Sequence, residues 1–92
     1  MKETIKKLVN SYSVLNTFAN LKYRWLDEAG YEDFNEYAKV MQKSVEKVIG
    51  QSINLIKGTQ RPFGIMFELN GKNLKLFMKS NNQGYWLACT KI

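Results

Sequence analysis

Lys75, Phe77, Lys79 and Trp86 stand in the last fifth of the chain at spacings that a β-sheet turns to one side, because strand residues alternate faces. Aromatic rings that stack bases, beside ammonium groups that neutralise phosphate, are the working parts of sheet-based single-strand binders. Arg61, Met66 and Lys72 lie just before that stretch and complete the candidate set. The same surface suits a protein partner, since exposed Trp, Phe and Met among polar residues are typical of interface centres. It also matches an ordinary antiparallel sheet with a wet face, so three readings compete: nucleic acid, protein partner and plain sheet. Lys39, Lys43 and Lys47, four apart, form a secondary basic ridge on a helix. A solvated face is its plain reading, and phosphate tracking its functional one. Lysines outnumber arginines twelve to two, so point charges replace the bidentate fork that reads guanine, and any sequence preference is expected to be weak.

Catalytic chemistry has few parts here. The chain has no His, so the serines (Ser11, Ser13, Ser44, Ser52, Ser80) lack their usual activating base. Cys89 falls at a core position, where a thiol is inert. Without His and with one Cys the usual zinc sets cannot be assembled. The glycines at 58, 64, 71 and 84 match neither the P-loop nor the dinucleotide fingerprint. Asp27, Glu28, Glu32, Asp33 and Glu36 cluster between two helical segments but lack the order of a calcium loop. No catalytic residue, metal or cofactor is expected.

The elements that must position these residues follow from periodicity. Ile5, Leu8, Val9, Tyr12, Leu15, Phe18, Lys22 and Trp25 recur at helical steps, which predicts one long first helix closed by Gly30. Phe34, Ala38, Met41, Val45 and Val48 make a second stripe. Its step continues through Ile49, Ile53 and Ile56, which favours a helix running past Gly50 to Gly58 over one ending at Gly50. A tight Gly30-Tyr31 turn joins the two helices into an αα-hairpin. After Gly58 the period becomes two. Asn70-Gly71 is a type I′ hairpin signal, and a two-residue turn there sets Leu69 opposite Lys72, Phe67 opposite Leu74, Ile65 opposite Leu76 and Phe63 opposite Met78. A loop at 81–84 then sets Met78 opposite Leu87 and Leu76 opposite Cys89. One face collects the apolar residues, and the other collects the candidate site.

The expectation is an α+β fold: a long N-terminal αα-hairpin packed on one face of a C-terminal three-stranded antiparallel β-meander. At 92 residues it forms a single domain, 1–58 helical and 59–92 β-meander. The predicted core is Leu15, Phe18, Phe34, Met41, Val45, Val48, Ile65, Phe67, Leu74, Leu76, Leu87 and Cys89. Residues 1–50 hold 8 basic and 7 acidic side chains, and residues 51–92 hold 6 basic and one acidic, so the positive field belongs to the strand half. Such a field attracts polyanions and acidic protein surfaces alike.

No signal peptide or membrane span is read from the sequence, and a cytoplasmic location is the default. Val14, Leu21, Tyr23, Leu26, Tyr37, Val40 and Ile49 lie off the main helical stripes, which points to a homodimer through the helical hairpin. The functional expectation is a small non-enzymatic binding or regulatory protein, in composition like those of bacteria or their phages. It would bind single-stranded nucleic acid through the outer sheet face. The alternative is a stoichiometric inhibitor or adaptor that uses the same surface on a protein target.

Overall fold

In the computed structural model, which describes residues 1–30 and 34–92, three helices precede a four-stranded antiparallel sheet and pack against it. The helices are α1 (Lys2–Val9), α2 (Tyr12–Ala29) and α3 (Asn35–Ile49). The strands β1 (Asn54–Leu55), β2 (Gly64–Leu69), β3 (Lys72–Asn81) and β4 (Gly84–Lys91) lie in the order β1-β2-β3-β4.

The single first helix expected from the sequence is two. Ser11 is extended (φ −80°, ψ 110°), and its hydroxyl accepts the Val14 N–H at 3.1 Å, the bond that starts a new helix. The break resets the helical phase. The buried stripe of α2 is Val14, Phe18, Leu21 and Trp25, whereas Tyr12, placed on the stripe by a continuous helix, is 79% exposed. Leu15 packs only partly against the core. The Gly30-Tyr31 turn, with Glu32 and Asp33, falls at the edge of or outside the described residues.

The continuation of the next helix to Gly58 is also corrected. Gly50 takes a left-handed conformation (φ 75°) and donates its N–H to Glu46 O at 2.8 Å, which ends α3. Side chains then redirect the chain. Glu46 accepts the Ile53 N–H at 2.9 Å, and Gln42 donates to Ile53 O at 2.9 Å. Ile53 is buried in this extended turn, and Asn54–Leu55 pairs with Glu68 and Phe67. Residues 51–58 thus supply a fourth strand to what was expected to be a three-stranded meander.

The expected register holds from β2 to β4. Leu69 pairs with Lys72, Phe67 with Leu74 and Ile65 with Leu76, while Met78 pairs with Leu87 and Leu76 with Cys89. Phe63 lies just before β2, its carbonyl accepting the Met78 N–H at 2.6 Å. Asn70 (φ 51°) and Gly71 (φ 80°) adopt the two left-handed conformations that the turn needs. The second turn is tighter than expected, with Asn81 already paired to Gly84. One sheet face buries Ile65, Phe67, Leu69, Leu74, Leu76, Met78, Leu87 and Cys89 beneath the helices. Of the predicted core, Phe34 and Val48 join Leu15 at its margin. Leu8, Val14, Leu21, Trp25, Tyr37, Ala38 and Ile53 are buried additions.

Candidate functional site

The helices cover one sheet face, and on the other the register lays a row of Asn54, Glu68 and Asn73 beside three rows that frame the candidate site. Met66, Lys75 and Thr90 form one row; Gly64, Phe77 and Ala88 form the next; Lys79 and Trp86 form the third. The middle row explains the surface shape. Gly64 has no side chain, and the Phe77 ring occupies the space that a Cβ there would need. Phe63 meets that ring edge-on at 5.4 Å between centroids. With Phe77 drawn toward Gly64, the small Ala88 on its other side leaves a hollow. Its volume is about 160 Å³, and it is lined by Lys75, Phe77, Lys79, Ala88 and Thr90. Lys75 Nζ lies 4.9 Å from the Phe77 ring centroid, a cation–π contact. Trp86, 43% exposed, stands beside Lys79 at the end of the hollow.

The structure therefore brings together Met66, Lys75, Phe77, Lys79 and Trp86, and it separates two of their expected companions. Lys72 pairs with Leu69, so its strand parity is that of the core face, and it lies exposed at the hairpin end. Arg61 is half-buried in the loop before β2, where its Nη1 donates to Gln60 O at 2.7 Å and to Gly58 O at 3.4 Å. That guanidinium is occupied in shaping the loop. Phe77 is a wall of the hollow, with one side toward Gly64 and an ammonium near its ring, whereas Trp86 is the aromatic with more open surface. Ala88 and Thr90 join the lining. Their signal in the sequence was the register itself, which sets a small residue opposite a large ring.

Two larger hollows are open to solvent. One, about 630 Å³, is lined by Glu3, Thr4, Lys6, Lys7, Asn10 and Ile49, so its charges are mixed. The other, about 510 Å³, runs between α2 and α3 past Lys43 and Lys47 of the basic ridge. Two of its hydroxyls are committed as donors: Ser44 donates to Thr17 Oγ1 at 3.2 Å, and Thr17 to Ser13 O at 2.9 Å. Lys39 does not line this groove, though it is exposed on the same helix.

Elsewhere the polar groups serve the fold. Burial pushes the Cys89 thiol up to about 11, so it is protonated at neutral pH. Glu28 hydrogen-bonds the Tyr37 phenol, which is held above its ordinary value chiefly by that bond. Glu68 is held low, first by the Asn54 amide at 3.0 Å and then by the Gly71 N–H. These neutral donors hold it as a carboxylate, so it keeps a negative charge on the outer face, one row from Lys75. Among the described residues, no three His, Cys, Asp or Glu side chains gather as a metal site. None of the described helices is long and apolar enough to cross a membrane.

No protein-family model matches the chain, and comparisons with curated proteins and with solved structures returned no match.

Proposed function

We propose that the protein is a non-enzymatic binder of single-stranded nucleic acid that uses the outer face of its sheet. The hollow between Lys75 and Lys79 carries this reading: it sits on an uncovered face and has two cations and an aromatic wall. A base seated over Ala88 has Lys75 on one side and Lys79 on the other for its flanking phosphates, and a base stacked on Trp86 has Lys79 beside it. Stacking contributes about 1–3 kcal/mol per base and tolerates any sequence, and lysine neutralises phosphate without reading bases.

The test is a salt titration of binding to a short homopolymeric oligonucleotide. Two neutralised phosphates predict a slope of roughly −1.4 in log affinity against log salt, at about 0.7 per single-strand phosphate. The Lys75→Gln/Lys79→Gln variant should lose that part of the slope. Trp86→Ala should lose affinity without changing it. Fluorescence anisotropy of an end-labelled oligonucleotide gives the readout for every variant, Trp86→Ala included. Absence of binding at about 50 mM salt, where phosphate contacts are strong, overturns the reading and leaves the surface to a protein target.

A further inference from the structure

α2 and α3 pack side by side and leave a groove of about 510 Å³ between their outer surfaces. Its two walls differ in charge. α2 contributes Ser13 and Thr17, from a stretch (Leu8 to Leu21) that holds no Lys, Arg, Asp or Glu. α3 contributes Val40, Ser44 and Val48, a stripe at steps of four, with Lys43 and Lys47 along its rim. Val40 is 45% exposed, and Val48 is partly buried. Lys39 continues the lysine row by one more turn, and among the described residues none of the three lysines is paired with a carboxylate. The hydroxyls, by contrast, are satisfied within the chain. Ser44 donates to Thr17 Oγ1, Thr17 donates to Ser13 O, and the Ser13 and Ser11 hydroxyls share a bond at 3.1 Å.

We propose that this groove is the docking site for an acidic amphipathic helix of a protein partner. Because the hydroxyls bond one another, an apolar side chain can cover that wall without stranding a donor. Val40 and Val48 supply methyl groups to pack on, about 12 Å apart at 1.5 Å per residue, which matches two turns of a helix lying along the groove. Carboxylates a turn apart on one side of that helix meet Lys43 and Lys47, while its other side faces the uncharged wall of α2. Charge selects the occupant: two ammonium groups and no carboxylate line the groove, in a chain of formal charge +6. Nucleic acid fits it poorly, because no aromatic ring lines the groove to stack a base, and a sugar–phosphate chain would leave both valines bare. An isologous contact with a second copy would set these lysines against their like. The groove lies in the helical layer, on the far side of the sheet from Lys75 and Lys79, so its occupancy leaves the outer sheet face open.

The test is fluorescence anisotropy of a labelled synthetic helix of about 14 residues, with Leu at steps of three and four and Glu along one side of the Leu stripe. Saturable binding to the nuclease-treated protein is expected, weakening as salt rises. Val40→Ser, at an exposed position, should weaken it roughly fivefold, the worth of burying the open half of a valine. Lys43→Glu/Lys47→Glu, checked for unchanged helicity by circular dichroism, should release the acidic peptide and take up the same peptide with Lys in place of Glu. Lys75→Gln/Lys79→Gln should bind the acidic peptide as the unsubstituted protein does, whatever it does to oligonucleotide binding. Absence of saturable binding overturns the proposal. So does equal binding of a peptide with Ser in place of Leu, which would mean charge attraction alone. Displacement of the peptide from the Lys75→Gln/Lys79→Gln variant by a homopolymeric oligonucleotide would give the groove to nucleic acid. Self-association that the peptide reverses would give it to a second copy, and either result overturns the proposal as well.

Discussion

Gly64 is the residue on which the candidate site turns. Its φ is not in the left-handed region, so what forbids a side chain is space: an added Cβ would collide with the Phe77 ring and lie 2.6 Å from Leu76 O. Gly64→Ala is therefore expected to destabilise the fold by about 1–3 kcal/mol and to push Phe77 toward the hollow. Denaturant melts and oligonucleotide affinity together check both effects. Cys89 gives a second expectation at this scale. A thiol raised to about 11 by burial reacts slowly with a disulfide reagent at pH 8 in the native protein and fast once unfolded. Glu68 gives a third. Its depressed pKa means that its hydrogen bonds to Asn54 and Gly71 add stability at neutral pH, which is lost as pH falls below about 4.3, the unfolded value. Glu68→Gln should flatten the acid side of the Tm–pH curve.

At the scale of elements, one hydroxyl separates α1 from α2. Ser11→Ala removes the acceptor for the Val14 N–H and should cost about 1 kcal/mol, measured by chemical denaturation, while Ser11→Asp should retain most of it. The other boundary is Gly50, where φ is 75° and nothing lies within 4 Å of an added Cβ. Gly50→Ala is expected to cost about 1–2 kcal/mol from the left-handed backbone alone. The Glu46 and Gln42 side chains hold Ile53 from both sides, so they steer the chain from α3 into β1. β1 is only two residues long, but it covers the edge of β2 that a three-stranded sheet would have left open.

For the whole molecule, the radius of gyration of 12.2 Å is that of a compact chain of this length, about 12 Å. Such a body of 92 residues has room for one helical layer, and covering one sheet face leaves the other bare. The charge distribution acts at this scale. With 14 basic and 8 acidic residues, association with a polyanion should accelerate as salt is lowered, which stopped-flow measurements of the association rate check directly. The apolar arcs that suggested a dimer through the helical hairpin are largely closed within the chain, because Val14, Leu21 and Tyr37 are buried. Tyr12, Tyr23 and Val40 remain outside.

The sheet was legible in the sequence because its information is local. Asn70-Gly71 accepts one turn geometry, strict alternation from Ile65 to Leu69 and from Leu74 to Met78 accepts one register, and together they place Lys75, Phe77, Lys79 and Trp86 on one face. The helices were legible as apolar stripes at helical steps, but neither their phase nor their ends were. A serine at position 11 is compatible with a helix interior, and only packing of Leu8 and Val14 into one core decides that the chain breaks there. Ile53 and Ile56 keep a helical step by coincidence. Their β-branched side chains fit a strand equally well, and the open edge of β2 supplies the partner that makes it the lower-energy choice. Lys72 and Arg61 went astray for a related reason: proximity in sequence placed them with the site, whereas strand parity and two backbone carbonyls turn them elsewhere. Periodicity reads which residues share a face of one element. Which faces meet, and where one element yields to the next, depends on partners distant in the chain.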